Sequence, residues 1–145
     1  MSKILERVRQ SMDYFTLKFS EDMDNFAKKN LSYSEYMIFS QMGKYDKIHC
    51  VKCAKAVLTQ AAIFREKKWV VAALLHDCGK PAGTGFFKRT VHALFKNVKQ
   101  LRNHAERGYE MLKDINPEAA EIVRIHHLKD VPDEIKSFQE IDDKN

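Results

Sequence analysis

The chain has 145 residues, of which 44% are hydrophobic and 31% charged, enough for one domain with a buried core. The formal net charge of +5 is mild and its basic residues are scattered, so it suits an anionic ligand without arguing for nucleic acid. No apolar stretch approaches the roughly 18 residues of a membrane span. The charged N-terminal stretch lacks a signal-peptide pattern, and three cysteines do not suggest a closed disulfide framework, so a cytoplasmic protein is expected.

Only five glycines and three prolines interrupt the chain, and no alternating strand pattern of useful length occurs. The expectation is an all-α fold, a single compact multi-helix bundle of about seven to nine helices. Ile4, Leu5, Val8, Met12, Phe15 and Phe19 recur at helical spacing, predicting a helix over residues 3–19. A second helix runs from the acidic patch at Glu21 to near Asn30. Ser32 and Glu35 form a capping-box pattern for a third, which Gly43 closes. Residues 1–44 read as a helical extension packed on a main domain of residues 45–145.

Asp46 is a candidate N-cap for a central helix over residues 47–66, on which His49 shares a face with Cys53, Ala56, Val57 and Gln60. The Cys50-Val51-Lys52-Cys53 pair has neither the βαβ context of a redox site nor the second pair of a zinc ribbon, so both thiols read as core packing. The seven-residue run Trp69–Leu75 leads into His76 and Asp77, and Gly79 and Pro81 end that helix, expected over residues 69–77. Gly83–Gly85 makes a loop. Helices follow over residues 88–100 and 102–115, the second carrying His104. Asn116-Pro117 opens a helix with Ala119, Ile122, Val123 and His126 on one stripe. Pro132 opens the last, where Ile135, Phe138 and Asp142 share a face.

A single histidine on an apolar helix face is usually a hydrogen-bonded core residue. Here five of six histidines, His49, His76, His104, His126 and His127, lie where helices can converge, together with Asp77 and Asp142. Burying so many titratable groups is costly unless something pairs or neutralises them, and a metal cluster does so.

The ordered set His49, His76-Asp77, His104, His126 and Asp142 resembles the HD-domain metal-dependent phosphohydrolases over about residues 45–145. ALLHDCGK is similar to that family's ALLHDIGK, with Cys78 in place of the usual isoleucine. DKIHCVKCAKAV resembles the segment with its first histidine, NHAERGYEML and EIVRIHHLKD those with the extra histidines of its two-metal members, and SFQEIDDKN its closing segment. The resemblance implies metal ligands at His49, His76, Asp77 and Asp142, a second ion at His104 and His126, and Asp77 as the bridge. His127 and Asp143 are alternates to their neighbours; helical phase favours His126 and Asp142, because adjacent helical residues point about 100° apart.

Imidazole and carboxylate donors suit one or two divalent transition ions, iron, manganese, cobalt, nickel or zinc. The function implied is hydrolysis of a phosphate ester or anhydride by a metal-activated hydroxide. The substrate expected is a nucleotide or small phosphorylated metabolite, first a dinucleoside polyphosphate. Asp77, His76 and Lys80 are the catalytic candidates, and Lys80, Arg89 and Arg124 are candidates for binding phosphate. The GYP signature of cyclic dinucleotide phosphodiesterases is missing. The alternative is a non-catalytic regulatory module that binds metal and nucleotide. An RNA-binding reading rests on the +5 charge alone.

Overall fold

The computed structural model describes residues 3–6, 8–9, 18–81 and 98–145, with side chains from 103 onward in the last stretch. Seven helices organise them: α1 (Glu21–Asn30), α2 (Tyr33–Ser40), α3 (Lys44–Thr59), α4 (Lys67–Leu75), α5 (Val98–Leu112), α6 (Pro117–Ile125) and α7 (Asp133–Lys144). The described residues contain no strand, and the fold is an all-α bundle. None of their helices is long and apolar enough to cross a membrane. Of the first expected helix, residues 3–6 and 8–9 are helical. The Gly83–Gly85 loop, Arg89, His92 and most of the expected 88–100 helix lie outside the described residues.

The core is built on α4, whose residues Trp69 to Leu75 are all buried. Each large aliphatic side chain so placed contributes about 1.5–3 kcal/mol of burial free energy, which holds this helix independently of the polar residues that follow it. α3 and α6 pack against it, α5 packs on α6, and α7 packs on α3. Phe138 of α7 reaches Trp69 at a ring-centroid distance of 6.1 Å and His76 at 5.8 Å.

The N-terminal helices join the same core through Ala27, Leu31 and Phe39. The capping box of α2 forms as expected, with Ser32 N donating to Glu35 Oε2 at 2.8 Å and Glu35 N donating to Ser32 Oγ at 3.3 Å. Buried Glu35 also accepts from Asn116 Nδ2 at 3.0 Å, while Asn116 Oδ1 caps α6 by accepting from Ala119 N at 3.1 Å. One carboxylate therefore ties the start of α2 to the start of α6.

Several boundaries differ from the expected ones. α3 starts at Lys44 behind Gly43, so Asp46 is not its N-cap but a buried first-turn residue. A carboxylate there still faces the positive end of the helix dipole. α3 stops at Thr59 instead of continuing to residue 66, and the chain turns so that Phe64 packs on Trp69 at 5.0 Å. Burial of an aromatic pair outweighs the helix propensity of Ala61 and Ala62. α5 runs unbroken through residues 100–102, where a break was expected; no glycine or proline stands there to stop it. Pro132 is the N-cap of α7 and not its first helical residue.

Candidate metal centre

Asp77 stands where the elements meet. α4 ends at Leu75, and residues 76–79 form a turn that carries the His76 and Asp77 side chains into the space between α3, α5, α6 and α7. Two glycines let this turn touch α5. A Cβ built on Gly79 would overlap the His104 carbonyl oxygen and stand 2.7 Å from Gly108 N. One built on Gly108 would stand 2.8 Å from Val123 Cγ1 and 3.3 Å from Cys78 Sγ. Gly79 and Gly108 thus set the approach that brings His104 to Asp77.

The first group of donors comes from α3, the turn and α7. His49 Nε2 lies 2.7 Å from Asp142 Oδ1 and 3.3 Å from His76 Nε2, and His76 Nε2 lies 3.0 Å from the same Asp142 oxygen. Asp77 Oδ2 is 3.6 Å from His76 Nε2 and 3.8 Å from His49 Nε2. His76 Nδ1 donates to the Ala73 carbonyl at 2.8 Å, which orients the ring so that Nε2 points into the group. His76 is fully buried, whereas the His49 and Asp142 side chains are 16% and 15% exposed and form a rim open to solvent.

The second group comes from α5 and the residues after α6. One donor atom from each of His104, His126 and His127 falls within 4.8 Å of the others. His127 Nε2 is 3.3 Å from His104 Nε2, and His104 Nε2 is 3.4 Å from Asp77 Oδ1. His126 Nδ1 donates to the Val123 carbonyl. Its Nε2 is buried and, among the described residues, has no hydrogen-bond partner. A buried orphaned acceptor costs about 1–3 kcal/mol. A cation bound by His104, His126 and His127 would satisfy it, so these residues fit a metal ion.

The two groups titrate in opposite senses. Burial, the largest influence on His49 and His76, opposes their charged forms. For His49 it is outweighed by Cys53 and Asp142, and for His76 by Cys50, Asp77 and Asp142, so both sit well above the ordinary imidazole range. Burial also opposes the Asp77 and Asp142 carboxylates. Lys80 and His76 overcome it at Asp77, and His76 and His49 at Asp142, holding both well below the usual carboxylate range. Burial pushes His126 well down, helped by His127 and His76. It lowers His127 to about 4: the residue is exposed overall, but its ring lies against those of His126 and His104, with centroids at 3.9 and 5.0 Å. His126 and His127 are therefore neutral imidazoles, the form that binds metals.

Of the alternates, Asp142 enters the cluster and Asp143 is exposed. His126 and His127 both enter it. The expected choice between them rested on helical phase, but α6 ends at Ile125, and His126 and His127 lie in the turn beyond it. Lys80 Nζ is 3.1 Å from Asp77 Oδ2 and 3.9 Å from Asp46 Oδ1, at the rim. Arg124 is engaged elsewhere, 4.9 Å over the Tyr109 ring and 3.3 Å from Glu121 Oε1. Asp46 and Cys53 join the neighbourhood without having been expected to. Their spacing from His49, three residues before and four after on one helix, was a usable signal.

The fold and its donors define an all-helical protein with buried histidine and aspartate groups suited to divalent metal. The family model of the HD domain matches residues 47–142, well over half of the chain, and the chain belongs to that family. HD domains bind divalent metals and are in general metal-dependent phosphohydrolases. No curated protein and no solved structure matches the chain.

Proposed function

We propose that the protein is a phosphohydrolase that cleaves a phosphate ester or anhydride of a nucleotide or another small phosphorylated metabolite, a dinucleoside polyphosphate being the first to test. The observation that carries this reading is the division of one carboxylate between two donor groups. Asp77 Oδ2 faces His49 and His76, and Asp77 Oδ1 faces His104. A bridging aspartate needs both orientations. In this reading His49, His76, Asp77 and Asp142 hold one divalent ion, and His104, His126 and Asp77 a second, with His127 beside it.

Two such ions would supply an activated hydroxide and stabilise charge at phosphorus during in-line attack. The chain does the rest. His76 and His126 form a dry floor in which electrostatic interactions are strong. His49 and Asp142 admit solvent and substrate at the rim. Lys80, also at the rim, pairs with a phosphate oxygen and so adds charge without contributing a ligand. Residues 45–145 form the catalytic domain and residues 1–44 its helical extension.

The test is phosphate release by manganese- or iron-loaded protein over a panel of nucleoside phosphates, cyclic nucleotides and dinucleoside polyphosphates. Turnover is expected on at least one class and is expected to disappear in Asp77→Asn. Full metal loading without turnover on any of them would instead support a metal- and nucleotide-binding regulatory module.

A further inference from the structure

Cys53 is packed one helical turn from His49, and its thiol has a place in the donor geometry. Its Sγ stands 3.6 Å from His49 Nε2. One donor atom from each of His49, Cys53, His76 and Asp142 lies within 4.8 Å of every other. Nitrogen and sulfur donors on one tetrahedral first-row ion, at about 2.0–2.1 and 2.3 Å from it, stand roughly 3.3–3.6 Å apart. The His49–His76 and His49–Cys53 separations of 3.3 and 3.6 Å match that spacing. Cys50, three residues earlier, does not share this arrangement. Its Sγ lies 3.7 Å from His76 Nδ1, the nitrogen already committed to the Ala73 carbonyl.

Resting on the metal-centre reading above, we propose that Cys53 is a further protein donor, beside Asp77, to the His49–His76–Asp142 position for thiophilic divalent ions such as zinc and cadmium. Soft thiolate favours these ions, whereas manganese and iron(II) prefer the oxygen and imidazole donors. Binding forms an Sγ–metal bond and releases the thiol proton to buffer, with no change of oxidation state. With Asp77 the position already has four protein donors, so the thiolate is a fifth that only a thiophilic ion recruits. Cys53 thereby makes the centre sort ions: hard ions are held by the imidazoles and carboxylates alone, and thiophilic ions also take the thiolate.

Cadmium titration of the full chain, followed by ultraviolet thiolate-to-cadmium absorption and by bound-metal analysis, tests this. Wild type is expected to show the thiolate band at about one cadmium per chain. Cys53→Ser and Cys53→Ala are expected to lose the band and to bind cadmium about tenfold more weakly or worse, while Cys50→Ser and Cys78→Ser keep it; circular dichroism checks that each variant is folded. Cadmium bound without the band, or a band that follows Cys50 or Cys78, overturns the assignment of Cys53. Manganese binding by wild type and His76→Ala, measured in parallel, separates the two levels. If manganese binding depends on His76 but the band is absent, only the Cys53 assignment falls. If neither ion depends on His76, the metal centre falls with it.

Discussion

The two donor groups on either side of Asp77 are built differently. The group of His49, His76 and Asp142 is internally paired, with imidazole nitrogens 2.7 and 3.0 Å from a shared carboxylate oxygen. Among the described residues, the group of His104, His126 and His127 has no carboxylate of its own. It borrows Asp77 Oδ1 and, among the described residues, leaves His126 Nε2 without a partner. Without metal, the first group neutralises itself through imidazolium–carboxylate contacts, while the second carries an unmet bonding requirement. Metal bound there would therefore replace existing interactions on one side and supply a missing one on the other.

The comparison breaks most completely at Asp77, the residue both groups share. Asp77→Ala should abolish turnover, a loss beyond the about 10- to 100-fold typical of changes behind a metal ligand. The helix before it should survive, because α4 is held by its apolar residues. Steady-state assays and circular dichroism on the same preparation check both halves.

Removing one histidine from each side without metal sharpens the contrast. His76→Leu orphans a buried carboxylate network and should cost about 3–5 kcal/mol. His126→Leu removes a nitrogen that had no partner and gives up only the bond to the Val123 carbonyl, so it should stay within about 1 kcal/mol of wild type. Chelator-treated protein unfolded in urea measures the difference; equal losses would mean that the two groups are not built differently. With metal present the order for the second ion reverses, and His126→Ala and His104→Ala should lose that ion while keeping the first.

Gly79→Ala acts on the second group from outside. Its methyl cannot fit against the His104 carbonyl, so α5 must move and carry His104 away from Asp77. Affinity for the second ion should fall by about 10-fold or more, with the first less affected, as isothermal titration with manganese would show.

The smallest expected effect is on pH dependence, and its sign differs between the groups. In metal-free protein His126 and His127 are depressed, so their contribution to stability is present above the unfolded value of about 6.5 and is lost as pH falls toward the folded values, about 4 for His127. His49 and His76 are raised, so theirs is present below about 6.5 and is lost as pH rises through their folded values. Asp77 and Asp142 are depressed, and theirs is lost as pH falls below 3.8 toward their folded values. Proton NMR of the imidazoles should find His127 still neutral at pH 5 and His76 titrating above the ordinary imidazole range.

Much of this arrangement was legible in the sequence. The run Trp69–Leu75 has no polar face, so it had to be central, and the residues ending it had to lie at the core's edge. His49 and Asp142 followed from helical phase because α3 and α7 continue past them. The same reasoning did not separate His127 from His126, since phase carries no information beyond the end of a helix. Asp46 was misread because an acid near a helix start serves equally as cap or first-turn residue, and only the position of Gly43 decides. The reading of Cys53 as core packing agrees with its burial; a donor role would add only a distance to His49, which no sequence carries. The closeness of α5 to the HD turn depends on two glycines far apart in the chain.

The central claim is that Asp77 joins two metal positions. Anomalous diffraction from manganese- or iron-loaded crystals tests it most directly. The account predicts two peaks on either side of Asp77, about 3.5–4 Å apart, one beside His49, His76 and Asp142 and the other beside His104 and His126. A single peak bound by only one group, or a metal away from Asp77, would contradict it.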